Sequence, residues 1–237
     1  MLKEALQYLI GLSKDPIVEN GGKTYSTCDI RLLNVEEPVE SIKVRNLSGI
    51  VDYVKSKFDL SEQTELMVHV ASPTEVFLYD SLDFINNRRT YIKAIAMLPN
   101  ITLDRFMSRE AFNIQLQSCF VPNDDKDEVL KLISMIQEDQ AVTQMDNGIS
   151  QKVVVKQGAE LSCETTKSTY GLKPFRTFIE VSQPVSSFIL RVKEGAQVAL
   201  YEADGGAWEL NAIHNIRDYF QEKLAEEIEA GRIQVIA

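Results

Sequence analysis

Strand patterns dominate the last third of the chain, residues 173–237, and they constrain the fold more than any other feature. Apolar and polar residues alternate there in three stretches separated by turn residues, which predicts three strands. The stretches are residues 175–181, 188–192 and 197–201. Phe178, Ile189 and Tyr201 fall on the second faces of these strands, so we expect a helix or a second subunit to cover them.

A Gly-Gly loop and a long helix follow the strands. Trp208, the only tryptophan, lies just after the loop. Apolar residues then recur at helical spacing, at Ile213, Ile216, Phe220, Leu224 and Ile228. Gly231 is expected to end the helix, and residues 233–236 are expected to form a short final strand. We predict that Trp208 and the helix stripe pack against the strands at 175–181 and 188–192.

Upstream of residue 173 the patterns switch between helix and strand without the regular alternation of a β-α-β fold. Helical spacing predicts four helices, over residues 2–10, 47–58, 108–121 and 124–136. Alternating patterns predict strands over residues 25–32, 66–70, 76–79, 91–97, 140–145 and 149–156. This order favours an α+β fold with mainly antiparallel sheets, packed helices and a long C-terminal helix.

Side chains that accept hydrogen bonds from first-turn N–H groups mark the predicted helix starts. Asn46 precedes the second helix, and Ser108 can cap the third. Either Asp124 or Asp125 can cap the fourth helix, where acidic residues also suit the helix dipole.

A weak stretch separates the two parts of the chain. Asp146-Asn147-Gly148 is a hairpin signal, and a valine-rich strand pattern follows it. Residues 159–173 are then small and polar, which predicts a loop or a domain boundary. We therefore divide the chain into an N-terminal α+β region, residues 1–158, and a C-terminal region, residues 159–237, packed as one unit.

Composition bounds the class of protein. Of the 237 residues, 44% are apolar and 25% are charged, as in ordinary folded domains. The net charge is -10 and the pI is about 4.8. Such a surface repels phosphate backbones at long range, so general binding to nucleic acid or to anionic membranes is not expected. A local basic patch is compatible with this charge.

No secretory or membrane segment is expected. Charged residues interrupt the apolar positions of residues 1–12, and no stretch reaches the roughly 18 apolar residues of a membrane span. Cys28, Cys119 and Cys163 have neither the spacing of a disulfide framework nor that of a zinc site. A reducing cytoplasm is the expected compartment.

Candidate catalytic residues are few. His69 and His214 are the only histidines, and neither has a neighbouring catalytic partner or a metal-ligand spacing. We interpret His69 as structural and His214 as a surface or interface residue. Acidic clusters at residues 124–128 and 222–229 lie on predicted solvent faces of helices. The sequence therefore predicts no catalytic residue, cofactor or metal.

One loop is a candidate ligand site. The glycines of Asp204-Gly205-Gly206 allow backbone amides to approach a ligand closely, and the N-terminus of the following helix favours anions. No Gly-Lys-Ser/Thr follows, so the loop is not a phosphate-binding P-loop. The competing interpretation is a turn that needs glycine only for its conformation.

Three arginines are further candidates. Arg88 and Arg89 form the only adjacent basic pair and could bind a phosphate or an acidic partner; the alternative is a solvated hairpin tip. Arg176 could form a basic patch with Arg191 and Lys193 on neighbouring strands. Alternatively, these cations pair with acidic groups of the helices or of another copy.

Several short sequences occur together between residues 65 and 181. Residues 68–76 read Val-His-Val-Ala-Ser-Pro-Thr-Glu-Val, and Arg88-Arg89 follows. Residues 110–112 read Glu-Ala-Phe within a predicted helix. An acidic helix start and the Asn147-Gly148 hairpin complete the set.

These sequences resemble the YfdQ-like family of tailed-phage and prophage proteins. The run from residue 174 to Trp208 also looks like phage proteins of Gram-positive hosts. The resemblance implies a bacteriophage origin and a location in the host cytoplasm. It implies no activity and no catalytic residues.

Three functions remain open. The first is a non-enzymatic phage protein that acts by self-assembly and by binding a host or phage protein. The second is a binder of a small anion or nucleotide, such as a counter-defence protein that uses residues 204–206 with Arg88, Arg89 or Arg176. The third is a metal-dependent hydrolase that uses carboxylates.

Overall fold

The computed structural model describes residues 2–12, 17–20, 23–26, 39–61, 64–82, 86–136, 152–157, 160–193 and 195–237. Its contacts divide the chain into residues 1–39 and residues 40–237. The boundary expected between residues 158 and 159 stays a prediction.

Among its described residues, the first unit contains one helix and two paired strands. Helix α1 spans Leu2–Leu12, which confirms the helix expected there. Strands β1 (Ile17–Asn20) and β2 (Lys23–Ser26) pair antiparallel. The strand expected over residues 25–32 begins within β2, and the rest of it lies outside the described residues.

The second unit contains eleven strands and five helices among the described residues. Its strands are β3 (Ile42–Val44), β4 (Leu66–Ser72), β5 (Glu75–Asp80), β6 (Thr90–Ile95), β7 (Met107–Ser108), β8 (Lys152–Gln157), β9 (Glu160–Thr165), β10 (Tyr170–Leu172), β11 (Ser186–Lys193), β12 (Gln197–Glu202) and β13 (Ile233–Ile236). Its helices are α2 (Ser48–Ser56), α3 (Arg109–Cys119), α4 (Asp124–Met135), α5 (Ala207–Lys223) and α6 (Ala225–Glu229). Helices and separate, mainly antiparallel sheets make this an α+β fold, as predicted.

A five-stranded sheet forms one half of this unit, in the order β13-β4-β5-β6-β3. The three central strands pair antiparallel and follow one another in the chain, as expected. The two edge strands, β13 and β3, pair parallel to their neighbours. Helices α2, α5 and α6 cover one face, and the shared core includes Leu47, Ile50, Val68, Leu78, Ile92, Ile216 and Phe220.

A four-stranded sheet forms the other half, in the order β10-β11-β12-β7. Strands β11 and β12 confirm the patterns at residues 188–192 and 197–201. Helices α3 and α4 cover this sheet, and the core includes Phe112, Leu116, Val129, Ile133, Tyr170, Phe188 and Leu190. Each half therefore has its own hydrophobic core.

The prediction of a loop over residues 159–173 is wrong. Strands β8 and β9 form an antiparallel hairpin, and β10 pairs with β11. Tyr170 and Leu172 are buried, so their contacts with the core outweigh the polar composition around them. The Asp146-Asn147-Gly148 hairpin lies outside the described residues.

Residues 173–185, which we call the connecting segment, do not form the strand expected over 175–181. The buried amide of Gln183 makes hydrogen bonds to the backbone of this segment that a neighbouring strand would otherwise make. Its Oε1 accepts hydrogen bonds from the backbone N–H groups of Arg176 and Thr177, at 3.0 and 3.2 Å. Its Nε2 donates to the carbonyls of Phe178 and Val181. The apolar and polar residues therefore alternate in a segment that is not a strand and that is held by its own internal hydrogen bonds.

The C-terminal helix differs from the prediction in two ways. The backbone leaves helical geometry at Leu224, so two helices, α5 and α6, replace the single helix that was predicted. Helix α6 packs on β13. The apolar stripe packs against the five-stranded sheet and Phe178, not against residues 188–192. Gly231 ends α6 with a positive φ of 69°, as expected for a helix stop.

Helix caps also correct the sequence prediction. Ser108 caps α3 as expected, since it accepts from the N–H of Ala111. Asn123, rather than Asp124 or Asp125, caps α4, because Asp125 Oδ2 instead accepts from the N–H of Gly171 in β10. The predicted cap Asn46 is wrong: Leu47 occupies the N-cap position of α2.

The end of the predicted second helix is also wrong. Phe58 lies beyond α2 and is 86% exposed, because Lys57 takes a left-handed conformation that ends the helix.

Candidate functional site

The connecting segment places Arg176 in a closed contact network. Its guanidinium hydrogen-bonds Glu202 and Ser186, and it lies over the Trp208 ring at 4.0 Å from the centroid. The side chain is only 11% exposed. Burial lowers the pKa of Arg176 from its usual value, while the carboxylate of Glu202 acts in the opposite direction. The Arg176 charge is thus already engaged inside the protein.

The Asp204-Gly205-Gly206 loop lies in the same network. Gly205 and Gly206 have φ values of 62° and 83°, which residues other than glycine rarely adopt. Asp204 Oδ1 accepts a hydrogen bond from the N–H of Gly206 at 3.2 Å. The backbone carbonyl of Asp204 accepts a hydrogen bond from the N–H of Ala207. Asp204 and Glu209 also act on the pKa of Arg176. Carboxylates therefore surround the loop that was a candidate anion site.

The structure thus brings Arg176 together with Asp204, Gly205 and Gly206, as the nucleotide hypothesis requires. Arg176 hydrogen-bonds Glu202 and Ser186, and the loop is held by its own hydrogen bonds, which favours the conformational-turn interpretation. Arg176 Nε and Asp204 Oδ2 are buried without a hydrogen-bond partner in the described part of the chain. Binding of a ligand at this loop stays a prediction.

Arg88 and Arg89 lie elsewhere, before β6 of the five-stranded sheet. Arg88 Nη1 lies 3.2 Å from Met67 Sδ, so its side chain extends over the sheet face that the helices do not cover. The Arg89 guanidinium lies over Tyr91 at 5.2 Å. A surface cavity of about 290 Å³ beside Arg88 is lined by charges of both signs, including Glu65 and Asp80.

The face of the five-stranded sheet opposite its helices carries a continuous row of side chains. Strand register places five residues in line, one from each strand: Ile236, His69, Phe77, Lys93 and Lys43. Lys93 Nζ lies 5.0 Å from the centre of the Phe77 ring and 2.9 Å from Glu75 Oε1. We call this surface the ring face.

A second ring enlarges the ring face. Tyr79 stacks on Phe77 with centroids 5.6 Å apart and planes at 10°, and the His69 ring lies 6.4 Å from Phe77. All three rings are half-buried. His69 thus has aromatic neighbours, and neither it nor His214 is joined to a metal-ligand cluster in the described residues. Flat side chains side by side form a stacking surface, and the nearby lysines give it a local positive charge.

The four-stranded sheet has a different outer face. Ile189 and Tyr201 face each other there, and Phe106 meets Tyr201 edge-on at 67°. Lys193 Nζ lies 3.8 Å from the Phe106 ring centre, so the cation lies against the face of that ring. Arg191 lies on this same face, whereas Arg176 is buried in the network described above. The prediction that all three cations form one basic patch is therefore wrong, because Arg176 is not on a strand and does not share this face.

The two edges of the five-stranded sheet also differ. Strand β3 is three residues long and carries Lys43, features that discourage pairing with another strand. Strand β13 contains no charged residue, and Ile236 is 47% exposed. An open groove of about 410 Å³ runs beside β13 and is lined by Gln221, Ile228 and Val235 among others.

Backbone groups of β13 face outward along that edge. The N–H of Leu66 in β4 donates to the carbonyl of Arg232 at 2.9 Å. In a parallel ladder, backbone groups bond to the neighbour at alternate residues. Ile233 and Val235 therefore direct their N–H and C=O groups toward the groove.

The ring face and the β13 edge were not identified as sites from the sequence. The alternation of Met67 with His69, and of Phe77 with Tyr79, was the available signal, but it did not show that strand register aligns these residues. Among the described residues, no group of three or more His, Cys, Asp or Glu side chains is arranged to hold a metal ion. The described residues therefore supply no set of metal ligands for the hydrolase hypothesis.

Comparison of the chain with protein-family models, with curated proteins and with solved structures finds no match. The resemblance to the YfdQ-like family therefore stays a prediction. None of the described helices combines the length and apolar character needed to cross a membrane.

Proposed function

We propose that this chain is a non-enzymatic bacteriophage protein that acts in the host cytoplasm by self-assembly and binding, and that β13 is its assembly edge. The uncharged, partly exposed edge strand, whose outer side opens onto a groove, carries this proposal. Natural edge strands usually carry charges, bulges or covering elements that prevent pairing with another chain. Strand β3 has such protection in Lys43, whereas β13 does not.

Pairing of β13 with β13 of a second copy would join the two five-stranded sheets. Antiparallel pairing of identical strands gives a two-fold contact, the commonest symmetry of homo-oligomers. Backbone groups of Ile233 and Val235 would supply the hydrogen bonds, and Ile236 would add apolar contact. The groove lined by Ile228 leaves room beside the strand for this addition.

Light scattering coupled to size-exclusion chromatography tests the proposal. The monomer mass is 26.8 kDa, so we expect the wild type to elute with a multiple of that mass. Ile236→Lys places a charge on the edge and should return the mass to 26.8 kDa. Ile179→Lys is the matched control, because Ile179 is 82% exposed and lies in the connecting segment.

Two results would overturn the proposal. One is a monomeric wild type at the highest soluble concentration. The other is an assembly that survives Ile236→Lys as completely as it survives Ile179→Lys, because assembly would then use a different surface.

A further inference from the structure

From the ring face we infer a second binding activity, independent of assembly: this surface binds single-stranded nucleic acid by stacking bases on Phe77 and Tyr79 and by pairing phosphates with Lys43, Lys93 and Arg88.

Stackable rings are the first requirement of such a surface. Phe77 and Tyr79 are nearly parallel, at 10°, and His69 extends the set onto β4. Aromatic side chains on a sheet stack bases without reading a particular sequence, because every base has a flat face. The row crosses five strands, about 19 Å between the outer two at ~4.8 Å per step, which accommodates two or three bases.

Charge complementarity is the second requirement. Lys43 and Lys93 lie directly opposite each other on β3 and β6, and Arg88 extends over Met67 on the same face. Within the described residues, neither Lys43 nor Arg88 forms an ion pair with a carboxylate, and Glu75 is the one acidic partner of Lys93. Three cations outnumber two carboxylates here, Glu65 beside Arg88 and Glu75 beside Lys93, so the face is locally positive on a chain with a net charge of -10. A local positive charge favours an anionic occupant.

The same charges disfavour a second copy of the chain as the occupant. A two-fold contact whose axis runs along the row would bring these lysines against the equivalent lysines, and like charges across an interface are unfavourable. The outer face of the four-stranded sheet offers no equal platform. Its rings, Phe106 and Tyr201, meet edge-on at 67°, whereas the planes of Phe77 and Tyr79 are 10° apart.

Fluorescence anisotropy with end-labelled oligothymidylate and oligouridylate of roughly 15 nucleotides tests the inference and separates DNA from RNA. We expect saturable binding of at least one of them at low salt. Phe77→Ala should weaken it about tenfold, because one stacking contact is lost. Tyr201→Ala, the matched ring on the other sheet, should leave affinity within about twofold.

Salt dependence gives a second readout that does not depend on removing a ring. Three phosphate contacts predict a slope of log affinity against log salt of about -2 for a single strand. Lys43→Glu changes an exposed side chain, so it should preserve the fold while flattening that slope by about 0.7 or more. Lys193→Glu on the other sheet should leave the slope unchanged.

Four outcomes would overturn the inference. The first is a wild type that binds neither oligonucleotide at low salt. The second is equal loss of affinity in Phe77→Ala and Tyr201→Ala. The third is duplex DNA bound as tightly as the single strand, since rings cannot stack on paired bases. The fourth is self-association that Phe77→Ala abolishes without any oligonucleotide binding, which would assign the face to a second copy.

Discussion

Arg176 beside the four-stranded sheet and Lys93 on the five-stranded sheet both lie over aromatic rings, but their surroundings differ. Arg176 is 11% exposed, hydrogen-bonds Glu202 and Ser186, and lies 4.0 Å from the centre of the Trp208 ring. Lys93 is 28% exposed and pairs with a single, half-exposed carboxylate. A buried cation with several partners stabilises the fold, whereas a more exposed cation with one partner is available to a ligand.

The connecting segment shows the same division within one stretch of chain. Arg176 extends from it toward the four-stranded sheet. Glu180, four residues later, accepts hydrogen bonds from the N–H groups of Leu47 and Ser48 at 2.5 and 2.8 Å. Its carboxylate thus caps α2 of the other half from 132 residues away along the chain. Both charges hold the halves in place and neither is free for binding.

The largest expected effect comes from removing the buried cation. Arg176→Met removes the hydrogen bonds to Ser186 and to the partly exposed Glu202 and should lower the free energy of unfolding by about 2 kcal/mol. Lys93→Met removes the corresponding surface cation and should cost less than about 1 kcal/mol. Urea denaturation of both variants checks this difference, and equal losses would show that burial does not separate the two cations.

Glu180→Ala should cost about 1–2 kcal/mol, because the first N–H groups of α2 lose their cap. Hydrogen exchange should accelerate most in the first turn of α2 and little in α4. Glu226→Ala, which changes an exposed glutamate of α6, is the control. Uniform acceleration across both halves would mean that Glu180 holds the segment as a whole rather than capping one helix.

Asp125→Asn tests an ion pair of the four-stranded half through pH. The hydrogen bond from the N–H of Gly171, and to a smaller extent the one from Lys167, lowers the pKa of Asp125 from its usual value. A lowered pKa means that the folded state binds the proton less tightly, so this stabilisation is present above about pH 4 and is lost as pH falls further. We expect the variant to lose about 1 kcal/mol near pH 7 and almost nothing at about pH 2. Asp124→Asn should behave as wild type, and a loss independent of pH would contradict the assignment.

The smallest effect is expected on the ring face. Lys43→Ala should change the free energy of unfolding by less than about 0.5 kcal/mol, because the side chain is exposed and has no ion pair among the described residues. The same variant should weaken oligonucleotide binding. Thermal denaturation measures the first quantity and anisotropy the second; a large loss of stability would place Lys43 with the structural cations.

Elements defined by local periodicity were predictable from the sequence. The α+β class, the three central strands, β11, β12, β13 and the helix α3 with its Ser108 cap all follow from spacing and caps. Long-range partners were not predictable. Residues 175–181 alternate like a strand, but the amide of Gln183 supplies their hydrogen bonds, and a glutamate 132 residues away replaced the expected Asn46 cap.

The candidate surfaces illustrate the same limit of sequence reasoning. The Gly-Gly loop stands out as a motif, yet its contacts are internal. The ring face has no motif, because its five residues come from five strands and only register aligns them. Arg176 was found as a candidate from its residue type, but its burial beside Trp208 was not visible until the connecting segment was placed.

The parallel pairing of β13 with β4 has a consequence for synthesis. Ile233 pairs with Leu66, so about 170 residues separate the two strands in the chain. At ~5–20 residues per second, the ribosome completes β13 roughly 10–30 s after β4. Until then α5 and α6, which supply Ile216, Phe220 and Leu224 to that core, are also incomplete. The five-stranded half is therefore the last to close, and a nascent chain exposes one side of β4 to chaperones for most of its translation.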